Sequence, residues 1–292
     1  MSIRPRRSAL YMPGSNTRAL EKAKTLATDV VIFDLEDAVA PDVKEAAREQ
    51  VTSALKAGGY GSRELVIRIN GLDTAWGAKD LAAAAAAGPD AILVPKVSSA
   101  TQLAEVGAAL ASAPARIAVW AMIETPLAIL NLREIAESAS DPATRLAVFV
   151  MGTNDLVKET RAELDANRTA ALYWLSAAVT AARAHGIEVL DGVFNAFKDA
   201  DGFRKECLQG RQLGMDGKTL IHPDQIAAAN EIFSPSEAEV IWARRIIAAF
   251  ELPEHQGKGA ITLDGRMVEL LHAETARRTV AIADAIAERS IS

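Results

Sequence analysis

The chain has 292 residues, half of them hydrophobic and 24% charged, with a formal net charge of −6. Its length is near the roughly 250 residues of one (β/α)₈ barrel, and with aromatics at only 5% the core it can build is mostly aliphatic. The acidic balance excludes a general binder of nucleic acid or of anionic membrane, while leaving room for a local basic pocket that takes a phosphate.

The N-terminal stretch Met1-Ser2-Ile3-Arg4-Pro5-Arg6-Arg7 is basic, but no apolar signal core follows before Pro13 and Gly14. No run approaches the roughly 20 apolar residues that cross a bilayer. The single cysteine, Cys207, rules out an internal disulfide and fits a reducing, cytoplasmic setting. It lies in a helical stretch without an activating partner and reads as a buried thiol.

Strand-like runs fall at residues 8–12, 30–34, 65–70, 91–95, 117–123, 146–151, 187–190 and 219–221. Most are apolar on both faces, the pattern of parallel strands covered by helices. Helix-like segments alternate with them at 17–26, 42–57, 81–87, 98–111, 126–138, 168–185, 200–213 and 223–232. Pro13-Gly14-Ser15-Asn16 supplies a turn and an N-cap, while Gly58-Gly59 and Gly88-Pro89 stop two of the helices. Eight such units predict a (β/α)₈ TIM barrel, with a doubly wound open sheet as the rival.

Beyond Phe233 the pattern changes. A helix starts at Ser234-Pro235-Ser236 and runs to about Phe250, a Gly-rich stretch follows at 256–260, and a last helix is expected from about 266 to 289. These residues exceed eight βα units. The expected organisation is a barrel over 1–233 and a C-terminal helical arm over 234–292 that packs on the barrel or on a neighbouring subunit.

The polar residues that end the apolar runs are the informative ones: Asp34, Arg68, Lys96, Glu124, Asp155, Asp191 and His222. They recur at about the 30-residue length of a βα unit, so each strand contributes one polar group at its C-terminal end. Active sites of (β/α)₈ barrels are built at that rim. Singly, Asp34 or Asp155 reads equally well as a helix cap, Lys96 as a solvated charge and His222 as a strand terminator. Recurrence in one phase, with Arg and Glu in the set, is what capping explains poorly.

Glu124 and Asp155 fall on neighbouring units and suit a shared hard cation, since Mg²⁺ takes one or two carboxylates plus water and substrate oxygens. Arg68 suits a substrate carboxylate or a developing oxyanion. The Gly-containing turn at Pro13 and Gly14, with Arg18 and Lys22 four apart on the next helix, is a weak phosphate signal beside its plain reading as a solvated face. No zinc-type cluster is present, the four histidines are scattered, and neither a GxGxxG nor a Walker sequence occurs. Lys96 leaves a Schiff-base aldolase as another reading.

The segments Leu10-Tyr11-Met12-Pro13-Gly14-Ser15, Phe33-Asp34-Leu35-Glu36-Asp37-Ala38-Val39, Arg68-Ile69-Asn70, Val94-Pro95-Lys96-Val97, Ile123-Glu124-Thr125, Gly152-Thr153-Asn154-Asp155-Leu156 and Asp216-Gly217-Lys218-Thr219-Leu220-Ile221-His222-Pro223 follow one another in family order. In them the chain resembles the HpcH/HpaI aldolase superfamily, in its citrate lyase β-subunit-like branch with malyl-CoA and citramalyl-CoA lyases.

The resemblance implies Mg²⁺ (or Mn²⁺) on Glu124 and Asp155, Arg68 at the reacting oxyanion, and Glu36 and Asp37 around it. It implies coenzyme A along the barrel mouth near Pro13, Gly14, Arg18, Lys22, Lys96, His222 and Pro223, and homotrimers or hexamers. Two positions depart from the family pattern: Asn154 replaces a glutamate, and Glu269 stands where an arm aspartate is expected as the acid–base group. The expected activity is carbon–carbon cleavage of a 3-hydroxyacyl-CoA, such as malyl-CoA or citramalyl-CoA, to an acyl-CoA and a 2-oxo acid. The alternatives are a malyl-CoA-type thioesterase on the same scaffold, or a citrate lyase β subunit working with an acyl carrier protein.

Overall fold

A computed structural model describes residues 3–291, with the side chains of Ser290 and Ile291 left aside. Met1 and Ser2, the start of the basic N-terminal stretch, lie outside the described residues. Eight parallel strands close into a barrel in sequence order, with the eighth paired to the first. They are β1 (Ser8–Pro13), β2 (Val30–Asp34), β3 (Glu64–Arg68), β4 (Ala91–Val94), β5 (Ala118–Ile123), β6 (Leu146–Met151), β7 (Glu188–Asp191) and β8 (Gly217–Leu220). The open-sheet alternative is thereby excluded: the fold is a TIM barrel.

Helices connect the strands: α1 (Thr17–Ala23), α2 (Lys44–Ala57), α3 (Gly77–Ala87), α4 (Ala100–Ala109), α5 (Pro126–Leu130), α6 (Leu132–Glu137), α7 (Thr153–Thr160), α8 (Leu172–Ala184), α9 (Ala200–Leu213) and α10 (Ile226–Ile232). The continuous helix expected over 126–138 is broken at Asn131, whose side-chain amide donates to the Ser98 carbonyl at 2.8 Å. Helix α7 had no counterpart among the expected segments. Six of its eight residues are polar, TNDLVKET, so it has little apolar periodicity to read.

Side-chain alternation along each strand decides what fills the barrel. Ala9, Val30, Ile32, Val66, Ala91, Leu93, Trp120, Met122, Val148, Val150 and Leu190 form one buried cluster, at two-residue spacing within each strand that contributes a pair. Continuing the same parity to the C-terminal ends brings Tyr11, Asp34, Arg68 and Glu124 to the top of that stack, and all four line a cavity there. The apolar layers below are the floor on which the polar group stands.

Arg6–Glu231 forms one compact unit; the chain from Ile232, with the residues around Pro5, forms a second. Within the second unit, helices α11 (Glu237–Glu251) and α12 (Leu270–Ile291) pack on a core of Ala243, Ile246, Ala249, Ile261, Val268, Ala273 and Ala276. The last helix was expected from about 266, but an antiparallel hairpin precedes it, β9 (Ala260–Leu263) with β10 (Arg266–Glu269). Its turn is Asp264-Gly265, both residues left-handed with φ of 51° and 73°. An Asp-Gly pair favours the two-residue hairpin turn that needs positive φ at both positions. No helix among the described residues is long and apolar enough to cross a membrane.

Candidate active site

Asp34 and Arg68 end two adjacent strands and are register partners. Arg68 Nε and Nη2 each donate to one oxygen of the Asp34 carboxylate at 2.7 Å, a planar two-point clamp. Nη1 donates to Asp37 at 3.3 Å and lies 2.8 Å from Glu36 Oε2, an ion pair rather than an aligned hydrogen bond. The guanidinium also sits over the Tyr11 ring, 4.7 Å from its centroid. Arg68 therefore has one edge locked by a buried partner and one edge shared, where Asp37 is 72% exposed and free to yield.

Glu124 follows β5 and is buried. One of its oxygens accepts from the Lys96 backbone N–H at 2.7 Å. Burial, then the neighbouring Glu36 and Asp155 charges, push its carboxyl up to about 8, against the Lys96 N–H and Arg68. Gly152 leaves the space it occupies: a Cβ at that glycine would stand 2.3 Å from Glu124 Cβ and 2.5 Å from Oε2. Asp155 is half-buried and lies not on a strand end, as expected, but in the first turn of α7.

Glu124, Asp155 and Arg68 all line one cavity of about 300 Å³, together with Tyr11, Asp34 and Asp37. Among the described residues neither Glu124 nor Asp155 forms an ion pair, and no group of three or more His, Cys, Asp or Glu side chains is arranged to hold a metal. Two repelling carboxylates without a cation of their own, beside a glycine that keeps the oxygen accessible, fit a divalent ion completed by water and substrate oxygens.

Glu36 is buried beside Arg68, and burial pushes its carboxyl up to about 7, with Asp37 and Asp34 adding and Arg68 opposing. It lines a second cavity of about 320 Å³ that shares Asp37 with the first and includes Lys96, Lys44 and Trp76. Lys96 is exposed, in a left-handed conformation with φ 54°. Partial burial lowers its pKa, but Glu36, Glu124, Asp155 and Asp37 outweigh that and raise it, so the amine is held as a cation. A Schiff-base nucleophile needs the opposite.

Pro13 pairs with Asp34 in register, and Gly14 donates its N–H to the Asp34 carbonyl at 2.8 Å. Gly14 is required there by close packing, because a Cβ would lie 2.7 Å from that carbonyl. Arg18 and Lys22 are exposed on α1, and the Asn16 side chain caps this helix by accepting from Ala19 N–H. His222 accepts at Nδ1 from the Asp224 N–H and stacks on Phe197, ring centroids 4.6 Å apart, while Pro223 is exposed and Ile221 lines the first cavity. Glu269 ends β10 in the second unit and is half-buried.

Asp191 shares the strand-end phase yet points the other way. Its inward neighbour Leu190 belongs to the barrel core, so Asp191 turns outward, fully buried, onto Lys218 at 3.1 Å and Arg168 at 2.7 Å. Tyr11 and Gly152, given no role in the sequence-based site, and Asp34, noted at the rim without a role, were reachable by the same two-residue parity.

A profile of the HpcH/HpaI aldolase/citrate lyase family matches residues 7–223. The chain belongs to this family. It is 52% identical over 283 residues to a (3S)-malyl-CoA thioesterase of Cereibacter sphaeroides, covering 97% of this chain and 96% of the relative. It is 36% identical to the citrate lyase subunit beta of Leuconostoc mesenteroides subsp. cremoris, over 97% of this chain and 94% of that one. Among solved structures, CitE from Mycobacterium tuberculosis in complex with magnesium, acetoacetate and coenzyme A superposes with a TM-score of 0.73 at 31% identity, covering 94% of this chain and 97% of that one. The citrate lyase β-like branch expected from the sequence is thus the one the chain falls in.

Proposed function

We propose that this family member is a Mg²⁺-dependent thioesterase that hydrolyses the coenzyme A thioester of a hydroxy diacid of the malyl-CoA kind. The observation that carries the reading is that buried Glu124 and half-buried Asp155 line one cavity with Arg68 at the barrel mouth. The 52% likeness to a (3S)-malyl-CoA thioesterase along nearly the whole chain favours hydrolysis over the carbon–carbon cleavage expected from the sequence.

Glu124 and Asp155 would hold the cation, Mg²⁺ or Mn²⁺, whose chemistry is to offset their repulsion and polarise substrate oxygens. Arg68 supplies the edge it shares with exposed Asp37 to the thioester oxygen as that atom gains negative charge. Glu36, with a carboxyl near 7, is poised between acid and base at neutral pH and takes a proton from the attacking water. The water oxygen bonds to the thioester carbon, the carbon–sulfur bond breaks, and the thiolate leaves with that proton as free coenzyme A. The free acid is the second product.

The lyase reading keeps support from the citrate lyase β relatives. It needs a proton delivered to the acyl-CoA carbon, the role the resemblance gave to Glu269. Purified protein incubated with (3S)-malyl-CoA, with and without Mg²⁺, separates the two. Hydrolysis gives malate and free thiol in equal amounts, abolished by EDTA. Acetyl-CoA and glyoxylate without free thiol would overturn the thioesterase reading and restore the lyase.

A further inference from the structure

The helix that carries Asp155 has no cap of its own. Its N-cap is Gly152, which offers no side-chain acceptor to the first turn. At eight residues α7 is too short to hold its geometry by intrinsic helicity. Its first turn is instead tied to the β7–α9 loop, about forty residues along the chain. Asn195 donates to Asn154 Oδ1 at 2.8 Å, and Asn154 donates back to Asn195 Oδ1 at 3.4 Å. Below this amide pair, Gly192 packs so closely on Thr153 that a Cβ would stand 2.6 Å from its Oγ1. The loop is itself pinned at that glycine, because buried Lys218 donates to the Gly192 carbonyl and pairs with Asp191. Both asparagines line the cavity next to Asp155.

We infer that Asn154 and Asn195 form a positioning pair that sets the Asp155 carboxylate for cation binding. The inference rests on the cation site proposed above. Neither residue is a ligand; the pair acts by fixing the start of α7. Partners that orient ligating side chains commonly govern metal affinity by 10–100-fold. Because each amide uses the other, the two side chains act as one element, and removing either removes the tie.

The test is Mn²⁺ binding followed by electron paramagnetic resonance on the wild type, on Asn154→Ala, Asn195→Ala and the double variant, and on Asp155→Ala. The wild type is expected to bind one Mn²⁺ that Asp155→Ala abolishes. Each asparagine variant should raise the dissociation constant about tenfold, with the double variant no weaker than either single one. Both asparagines are exposed, so melting temperatures should stay close to wild type, separating positioning from folding. A wild type that binds no Mn²⁺ sinks the cation site and the inference with it. A wild type that binds, with Asn195→Ala within twofold of it or with single effects that multiply in the double variant, overturns the pair alone.

Discussion

At the scale of single residues, function here depends on which face of a strand a side chain takes. Glu124 continues the inward parity of Trp120 and Met122, whereas Asp191 falls on the outward parity beside Leu190. Glu124→Gln keeps the shape and removes the charge. We predict a loss of roughly 10²-fold or more in kcat/KM, because a Lewis acid contributes several kcal/mol. Mg²⁺ should then no longer raise the melting temperature, which a thermal-shift series in MgCl₂ measures. Gly152→Ala should do the same by crowding Glu124, with about 1–3 kcal/mol of destabilisation in urea.

Asp191 makes a different prediction. Burial raises its pKa, but Lys218 and Arg168 outweigh that and hold it below the usual aspartate value of 3.8. A carboxylate depressed by folding gives stability that is present above its unfolded pKa and lost as pH falls through the folded one. Lys218 is held above 10.5 by Asp191 and Glu206 against burial, so its share is present below 10.5 and lost only as pH rises through the folded value. Asp191→Asn should therefore cost about 3–5 kcal/mol at pH 7, because the buried cations Lys218 and Arg168 then keep only Glu206 as an acidic partner. The gap from wild type should narrow as pH falls through the folded-state pKa of Asp191, which its buried cations hold below the usual aspartate value. Urea unfolding of both proteins at pH 7 and at a descending series of acid pH values reads the cost and its loss.

At the scale of elements, the strands were legible and two connections were not. The seven polar residues that end the apolar runs needed only the repeat length to be noticed, but the parity that separates Glu124 from Asp191 needed the strand limits. Helix α7 was hidden because its sequence, TNDLVKET, is polar and its start is held by tertiary ties instead of a capping side chain. The hairpin before α12 was signalled by Asp264-Gly265, but the helical composition of the flanking arm masked it. Gly265→Ala, at φ 73°, should cost about 1–2 kcal/mol and act on the second unit. Hydrogen exchange should show faster opening of β9 and β10 with the barrel strands unchanged.

At the scale of the molecule, eight repeats bring carboxylates that are far apart in sequence to one mouth, above layers of aliphatic side chains. An acidic cluster of this kind has one chemical use for a metal and little for a covalent amine. Lys96→Ala should accordingly leave EDTA-sensitive turnover in place, and borohydride should trap no substrate on the wild-type protein. The most direct observation is crystallographic: crystals soaked in Mn²⁺ and measured at an anomalous wavelength. A peak between the Glu124 and Asp155 carboxylates is what this reading predicts. An empty map there, or a peak bound by other residues, would contradict it.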